Sequence, residues 1–153
     1  MEVTVRFMEI EDYEKCYHLW LTIQGFAIRS LDDSKQGIER FLKRNPEMSV
    51  VAQQDGEIVG SILCGHDGRR GCFYHVCVNP EYRNQGIGNK MTDLALSAMK
   101  REEISKVSLV AFEYNKLGNS FWQDLGWIRR NDLNHYEYTL NCDNVVTINE
   151  GGH

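Results

Sequence analysis

Hydrophobic and polar positions alternate at the start of the chain. Val3-Thr4-Val5-Arg6-Phe7 is β-branched with period two and predicts a first strand. From Asp12 the period changes: Tyr13, Cys16, Tyr17, Trp20 and Leu21 recur every three or four residues, which predicts a helix with one apolar stripe, interrupted at Gly25. Ser34 to Arg44 predicts a second, short helix with Ser34 as N-cap and Ile38, Phe41 and Leu42 inward. Asn45-Pro46 ends it, because proline pushes the preceding residue out of helical geometry.

Period two then returns. Ser49 to Gln53 and Glu57 to Cys64 read as strands joined at Asp55-Gly56, a strong hairpin signal. The polar loop 65–71 leads into a strand from Cys72 to Val78. Gly86 to Glu103 predicts a long helix with Ile87, Met91, Leu94, Ala95 and Ala98 on its buried stripe. Lys106 to Phe112 is an apolar strand, expected parallel to Cys72–Val78 because a helix joins them. Asn115 to Leu125 predicts a short helix stopped at Gly126, and Trp127 to Arg130 and His135 to Leu140 predict two closing strands. The order is β-α-α-β-β-β-α-β-α-β-β. It predicts an α/β (α+β) sandwich: a mixed, mostly antiparallel central sheet with helices on both faces. One domain is expected over residues 1–142, with 143–153 as a flexible tail.

Composition narrows the function classes. With 153 residues the chain can bury a sizeable core. The 22 acidic residues against 17 basic give a net charge of -5, which argues against nucleic acid as a partner. No apolar run approaches the roughly 18 residues of a membrane span, and the N-terminus lacks a signal-peptide layout, so no membrane association is expected. The five cysteines (Cys16, Cys64, Cys72, Cys77, Cys142) are odd in number and form no Cys-x-x-Cys pair; reduced thiols and a cytoplasmic location are expected. The five histidines do not pair at metal-ligand spacing, so no metal is expected.

The candidate chemistry lies in Val76-Cys77-Val78-Asn79-Pro80-Glu81-Tyr82-Arg83-Asn84-Gln85-Gly86-Ile87-Gly88. It reads as a strand, a proline-marked turn and a glycine-rich start to a helix. Such a turn points backbone N–H groups and a helix N-terminus at one place and favours an anion such as phosphate. A dinucleotide fingerprint would need a third glycine, where Met91 stands; a nucleotide phosphate loop would need Gly-Lys-Ser/Thr, where Gly88 is followed by Asn89-Lys90. A tight turn with no ligand is the remaining alternative.

Two segments carry a family resemblance. Arg83-Asn84-Gln85-Gly86-Ile87-Gly88 matches the Arg/Gln-x-x-Gly-x-Gly/Ala motif of the GNAT family of N-acetyltransferases. Asn115-Lys116-Leu117-Gly118-Asn119-Ser120-Phe121-Trp122-Gln123-Asp124-Leu125-Gly126-Trp127 is similar to that family's second signature, Asn-x-x-Ala-x-x-Phe-Tyr-x-x-x-Gly-Phe. Val76-Cys77-Val78-Asn79-Pro80-Glu81-Tyr82, just before the first motif, resembles that family's fourth strand and its β-bulge, and the element order agrees over about residues 3 to 140.

The resemblance implies the GNAT acyl-CoA N-acyltransferase fold and acetyl-CoA as co-substrate. Amides from Asn84 to Asn89 (Asn84, Gln85, Gly86, Ile87, Gly88, Asn89) would hold its pyrophosphate. Val76, Cys77 and Val78 would bond the pantetheine arm along their edge, with an amide polarising the thioester carbonyl. Arg83 adds charge or braces the turn; Asn115 meets the cofactor arm, caps a helix, or does both. The implied reaction is direct attack of an amine on the thioester, and homodimers are common in the family.

The family's usual acid is a tyrosine at the place of Trp122, and an indole N–H is no comparable acid. A glutamate of some relatives falls at Val110, and the base positions of others at Cys72 and Tyr74. Tyr74 is the catalytic candidate, against the alternative of an aromatic filling the sheet face; Cys72 reads as a small apolar residue. Glu113 and Tyr114 lie near the implied cleft. His75 is expected to point away from the Cys72/Tyr74 face and to be packed, because side chains alternate along a strand. Trp20, Gln24, Phe26 and Arg29 could line the acceptor side. Asp32 and Asp33 either attract a cationic amine or form a solvated acidic loop. Arg129-Arg130-Asn131-Asp132 reads a carboxylate or is merely solvated. The function expected is acetyl transfer to a primary amine of a small molecule, peptide or protein. The alternatives are a non-catalytic acyl-CoA-binding module and a regulator acting through a bound partner.

Overall fold

Hairpins and one helical crossover set the architecture. The computed structural model describes residues 2–149. The elements run β1 (Thr4–Phe7), α1 (Tyr13–Thr22), β2 (Ala27–Arg29), α2 (Lys35–Arg44), β3 (Val50–Gln54), β4 (Glu57–His66), β5 (Gly71–Val78), α3 (Ile87–Arg101), β6 (Val107–Leu109), α4 (Lys116–Asp124) and β7 (Val146–Ile148). The Asp55-Gly56 turn, with φ of 50° and 80°, closes the β3–β4 hairpin as its sequence requires. Ser34 caps α2, its Oγ accepting from Gly37 N at 3.0 Å.

Five strands form the main sheet in the order β1-β3-β4-β5-β6. Neighbours are antiparallel except β5 and β6, which are parallel across α3. Helices cover both faces. On one, Ile87, Met91, Ala95, Ala98 and Met99 of α3 pack on Val50, Ala52, Val59, Ile62 and Phe73. On the other, Cys16, Leu19 and Trp20 of α1 and Ile38 of α2 pack on Val51, Ile58, Leu63 and Cys77. The α+β sandwich is therefore the observed fold. Among the described residues no helix is long and apolar enough to cross a membrane.

Three expectations fail in the last third of the chain. The strand foreseen over Lys106–Phe112 shrinks to Val107–Leu109, because beyond Leu109 the chain leaves the sheet. The two closing strands, Trp127–Arg130 and His135–Leu140, do not form. Tyr136, Tyr138 and Leu140 keep a strand's alternation yet are 87%, 88% and 93% exposed. With β6 so short, they meet no ladder to receive their backbone bonds, and alternation alone does not make a strand.

Third, residues 143–149 are not a loose tail. Val146–Ile148 pairs antiparallel with Ala27–Arg29, a strand that the sequence pattern did not reveal. Asn144 Oδ1 accepts from Leu31 N at 2.9 Å, and Asn149 Nδ2 donates to the carbonyls of Trp20 and Ile23 at 2.7 and 3.0 Å. The segment thus adds a second donor to carbonyls at the end of α1 that otherwise hold only long backbone bonds of 3.3 Å, from Ile23 N and Phe26 N. Residues 150–153 of the expected tail lie outside the described residues.

Asn149→Ala removes both side-chain bonds to the end of α1. At about 1 kcal/mol net each, the expected loss is about 2 kcal/mol, or roughly 4–8 °C in Tm for a chain of this size. Thermal unfolding followed by circular dichroism checks it; a change below about 1 °C would show that the Asn149 side chain does not stabilise the end of α1.

Candidate active site

β5 carries an irregularity. Ser61 faces Cys77 and Leu63 faces Tyr74, so two steps along β4 oppose three along β5. The extra residue is a β-bulge, and His75 takes φ of 50° there. Side chains cease to alternate at that point. Tyr74 meets Phe41 of α2 edge-on at 6.0 Å, while His75 packs against Trp20 at 4.7 Å and Phe26 at 4.8 Å on the same side of the sheet. The expectation that His75 points away from Tyr74 is therefore overturned. Ser61 fixes the bulge: its Oγ donates to the His75 carbonyl at 2.8 Å and accepts from Trp20 Nε1 at 2.9 Å.

Next to the bulge the sheet opens. β5 pairs with β6 only over Gly71–Phe73 and Val107–Leu109. Past that point the strands part, and a cleft runs between them. Val76, Cys77 and Val78 line one wall, and Val110, Phe112, Tyr114 and Asn115 line the other. Burial pushes the Cys77 thiol up to about 11, so it stays protonated rather than serving as a nucleophile.

At one end of the cleft the chain turns into α3. Asn79 Oδ1 accepts from Glu81 N at 2.9 Å, and Arg83 Nε donates to the Val78 carbonyl at 3.2 Å. Arg83 thus braces the turn. Asn84 and Gly86 are left-handed, with φ of 65° and 78°. No side chain caps α3. The amides of Gly86, Ile87, Gly88 and Asn89 open the helix and have no acceptor within it. Arg83, Asn84, Gly86, Ile87, Gly88 and Asn89 all line the cleft, while Gln85 is exposed on the same turn. A Cβ at Gly88 would stand 3.0 Å from the Phe121 ring, so glycine lets α3 approach α4.

Asn115 is the N-cap of α4, its Oδ1 accepting from Gly118 N at 3.0 Å, and it is also exposed to the cleft. Trp122 is buried among Phe73, Phe121 and Trp127, at ring distances of 6.2, 4.9 and 4.8 Å. It is a wall of the core on the α3 side. Glu113 and Tyr114 are exposed, and Tyr114 stacks on Phe112 at 5.2 Å. Val110 is exposed and offers no titrating group.

The other end of the cleft is lined by Gln24, Phe26, Arg29, Asp32, Tyr74 and His75. Trp20 is fully buried and does not reach it. Asp33 is no part of a solvated loop: it is buried, accepts from Arg29 N at 2.7 Å and lies 2.7 Å from His75 Nε2. Asp32 is exposed and accepts from Asn144 Nδ2 at 2.9 Å. Tyr74 is half-exposed; burial, with the Cys72 thiol alongside, pushes its hydroxyl up to about 12. Arg130 lies along the same cleft but is engaged by Asp132 through two bonds of 2.8 and 2.9 Å. The His75–Asp33 pair is the feature that sequence reasoning missed, and only the bulge could have signalled it. Among the described residues no group of His, Cys, Asp and Glu could hold a metal ion.

The uncapped start of α3 thus lies beside the place where two parallel strands part, and the sequence and fold have counterparts among known proteins. The sequence model of the acetyltransferase (GNAT) family matches residues 9–127. An acetyltransferase of Sodalis glossinidius is 31% identical over 121 residues, covering 79% of this chain and 84% of its own length. Ard1 from Thermoplasma volcanium superposes with a TM-score of 0.70 at 21% identity, over 84% of both chains. The PaiA N-acetyltransferase from Thermoplasma acidophilum, solved in complex with coenzyme A, superposes with a TM-score of 0.68 at 18% identity, over 82% of this chain and 89% of its own. With the family match running from the turn before α1 to Trp127, the chain belongs to the acetyltransferase (GNAT) family and is an N-acetyltransferase.

Proposed function

We propose that this N-acetyltransferase takes acetyl-CoA as donor and passes the acetyl group to a primary amine of a small molecule, peptide or protein by direct attack on the thioester. The observation that carries the reading is the uncapped start of α3, with left-handed Asn84 and Gly86, beside the edge of β5 left free where β6 departs. These residues fit the donor. Backbone amides and the positive end of a helix suit a pyrophosphate. A Cβ at Gly86 would meet nothing within 4 Å, so the space above the turn is open. Arg83 holds the turn through Val78 while its guanidinium faces solvent near the same place. The free edge at Val76, Cys77 and Val78 suits an extended, amide-bearing arm, which can add to a sheet as a strand does. Asn115 borders the arm from the opposite wall. The fold likeness to a protein solved with coenzyme A supports the same donor.

Chemistry then falls at the bulge. An amide on β5 there polarises the thioester carbonyl in this reading, as its oxygen gains charge when the amine attacks. Trp122, buried and without an acid proton, does not assist the departing sulfur. Tyr74 takes that part: its hydroxyl keeps its proton throughout the neutral range and faces the cleft. Because it is a weak acid, its contribution is a hydrogen bond to the developing thiolate, which takes its proton from solvent.

Two variants test the reading. Gly86→Asp sets a carboxylate against the α3 amides at a position where aspartate tolerates left-handed geometry at a cost of about 1 kcal/mol. Calorimetry with CoA is expected to show affinity reduced by roughly a hundredfold or more, with the circular dichroism spectrum unchanged. Gly86→Asn, the neutral counterpart, keeps most of the affinity. Equal affinity in Gly86→Asp and the parent would remove the phosphate assignment. Tyr74→Phe is expected to lower kcat for thiol release about 10- to 100-fold while leaving CoA affinity within twofold. Tight CoA binding by the parent with no thiol release across an amine panel would instead indicate an acyl-CoA-binding module.

A further inference from the structure

We propose that His75 is the base that receives the acceptor amine's proton, with Asp33 as the residue that positions it; this rests on the amine-acetylation reading above. His75 Nε2 lies 2.7 Å from Asp33 Oδ1, and both side chains are almost wholly enclosed, at 10% and 6% exposure. A carboxylate acceptor fixes the Nε2–H tautomer and leaves Nδ1 with a bare lone pair. Nδ1 makes no hydrogen bond, and the single buried side-chain N or O without a partner among the described residues is Thr92 Oγ1, so Nδ1 reaches solvent. The imidazole is walled by Trp20 and Phe26 and lines the cleft, which is the open space beside it.

The pair is built rather than incidental. Asp33 is held from several sides: Arg29 N donates to Oδ2 at 2.7 Å, Asp33 N donates to the Arg29 carbonyl at 2.9 Å, and the Tyr13 hydroxyl donates to the Asp33 carbonyl at 2.6 Å. His75 is held at its backbone by Ser61 at the bulge, where left-handed φ costs stability in a residue that is not glycine. The bulge also turns the imidazole onto Tyr74's side of the sheet. The charged and titratable groups around it are Asp32 and Asp33 before α2, Tyr13 on α1, Arg29 on β2, and, on β5, Tyr74 and Cys77, whose thiol meets Ser61 Oγ at 3.5 Å.

The proton account closes. The amine lone pair forms the N–C bond, the C–S bond breaks, and its electron pair leaves on sulfur. The proton shed by nitrogen goes to Nδ1, and the imidazolium returns it through solvent to the sulfur side. Amine and thioester thus give amide and thiol with the imidazole regenerated.

The test has a structural and a kinetic arm. In ¹⁵N-histidine NMR of the full chain, recorded with and without CoA, neutral His75 is expected with its proton on Nε2 and a bare Nδ1. A proton on Nδ1 would overturn the proposal. In Asp33→Asn the amide can offer its own N–H to Nε2, and the proton is expected to move to Nδ1. For kinetics, His75→Asn is preferred because asparagine accepts left-handed φ. With acetyl-CoA and spermidine, tyramine or a lysine-containing peptide as acceptors, kcat/KM on the fastest is expected to fall about 10²–10⁴-fold. The acid limb of the pH profile should disappear, with CoA affinity within twofold of the parent. An acid limb and rate retained in His75→Asn would overturn the proposal, whereas a merely packed histidine would move stability and leave the profile in place. Failure of the parent to bind CoA would instead count against the donor reading, and the tautomer measurement would still decide the role of His75.

Discussion

The structure depends on how β5 stops being an ordinary strand. Over Gly71–Phe73 it is bonded on both sides, to β4 and to β6. From Tyr74 onward it keeps β4, loses β6 and gains an extra residue. Backbone groups in a sheet interior normally have partners; here one edge is left available over the length of Val76–Val78, and an extended ligand can supply what β6 does not. The bulge beside that edge carries left-handed strain, and Ser61 and Trp20 hold it through a buried bond chain. Strain at such a place is tolerated where surrounding contacts over-determine it.

The two ends of the cleft then divide the electrostatic tasks. At the α3 end the positive charge comes from the backbone, through uncapped amides with no acidic side chain in the first turn of the helix, and from the Arg83 guanidinium on the preceding turn. At the other end, Asp33, Asp32 and Arg29 surround the imidazole and the Tyr74 hydroxyl. The strap formed by Asn144–Asn149 matters to this second end. It bonds to Leu31, Asp32 and the last carbonyls of α1, so the segment that presents Gln24, Phe26, Arg29 and Asp33 is held from the far end of the chain.

Local chemistry decided what could be read from the sequence. The Asp55-Gly56 hairpin, the Ser34 cap and the turn from Asn79 to Gly88 were legible because each is specified by residues within a few positions of one another. So was the fold, since a helix between two strands forces a parallel crossover. The β2–β7 pair was not legible: three residues on each side, more than a hundred positions apart, carry no periodicity. The segment from Trp127 to Leu140 failed in the opposite way, having the pattern of strands without a partner ladder. His75 was misplaced because alternation assumes an unbroken register, and a single inserted residue reverses every orientation beyond it.

Trp122 bears on why the proposal sets the proton chemistry on the α1/α2 face. The tyrosine usual at its position in the family would bring a hydroxyl to the cleft from the α3 side. Here the indole joins Phe73, Phe121 and Trp127 in one aromatic cluster, which closes that wall with apolar surface. Gly88 permits the close contact of Phe121 that completes it. A wall so built offers apolar surface to the cleft and can neither give nor take a proton. The titratable groups that face the same opening, Tyr74 and His75, both project from β5 toward the other helices, and they do so together only because the bulge breaks the alternation between them. The substitution at Trp122 and the bulge at His75 are thus two sides of one arrangement, an inert aromatic wall facing a polar one.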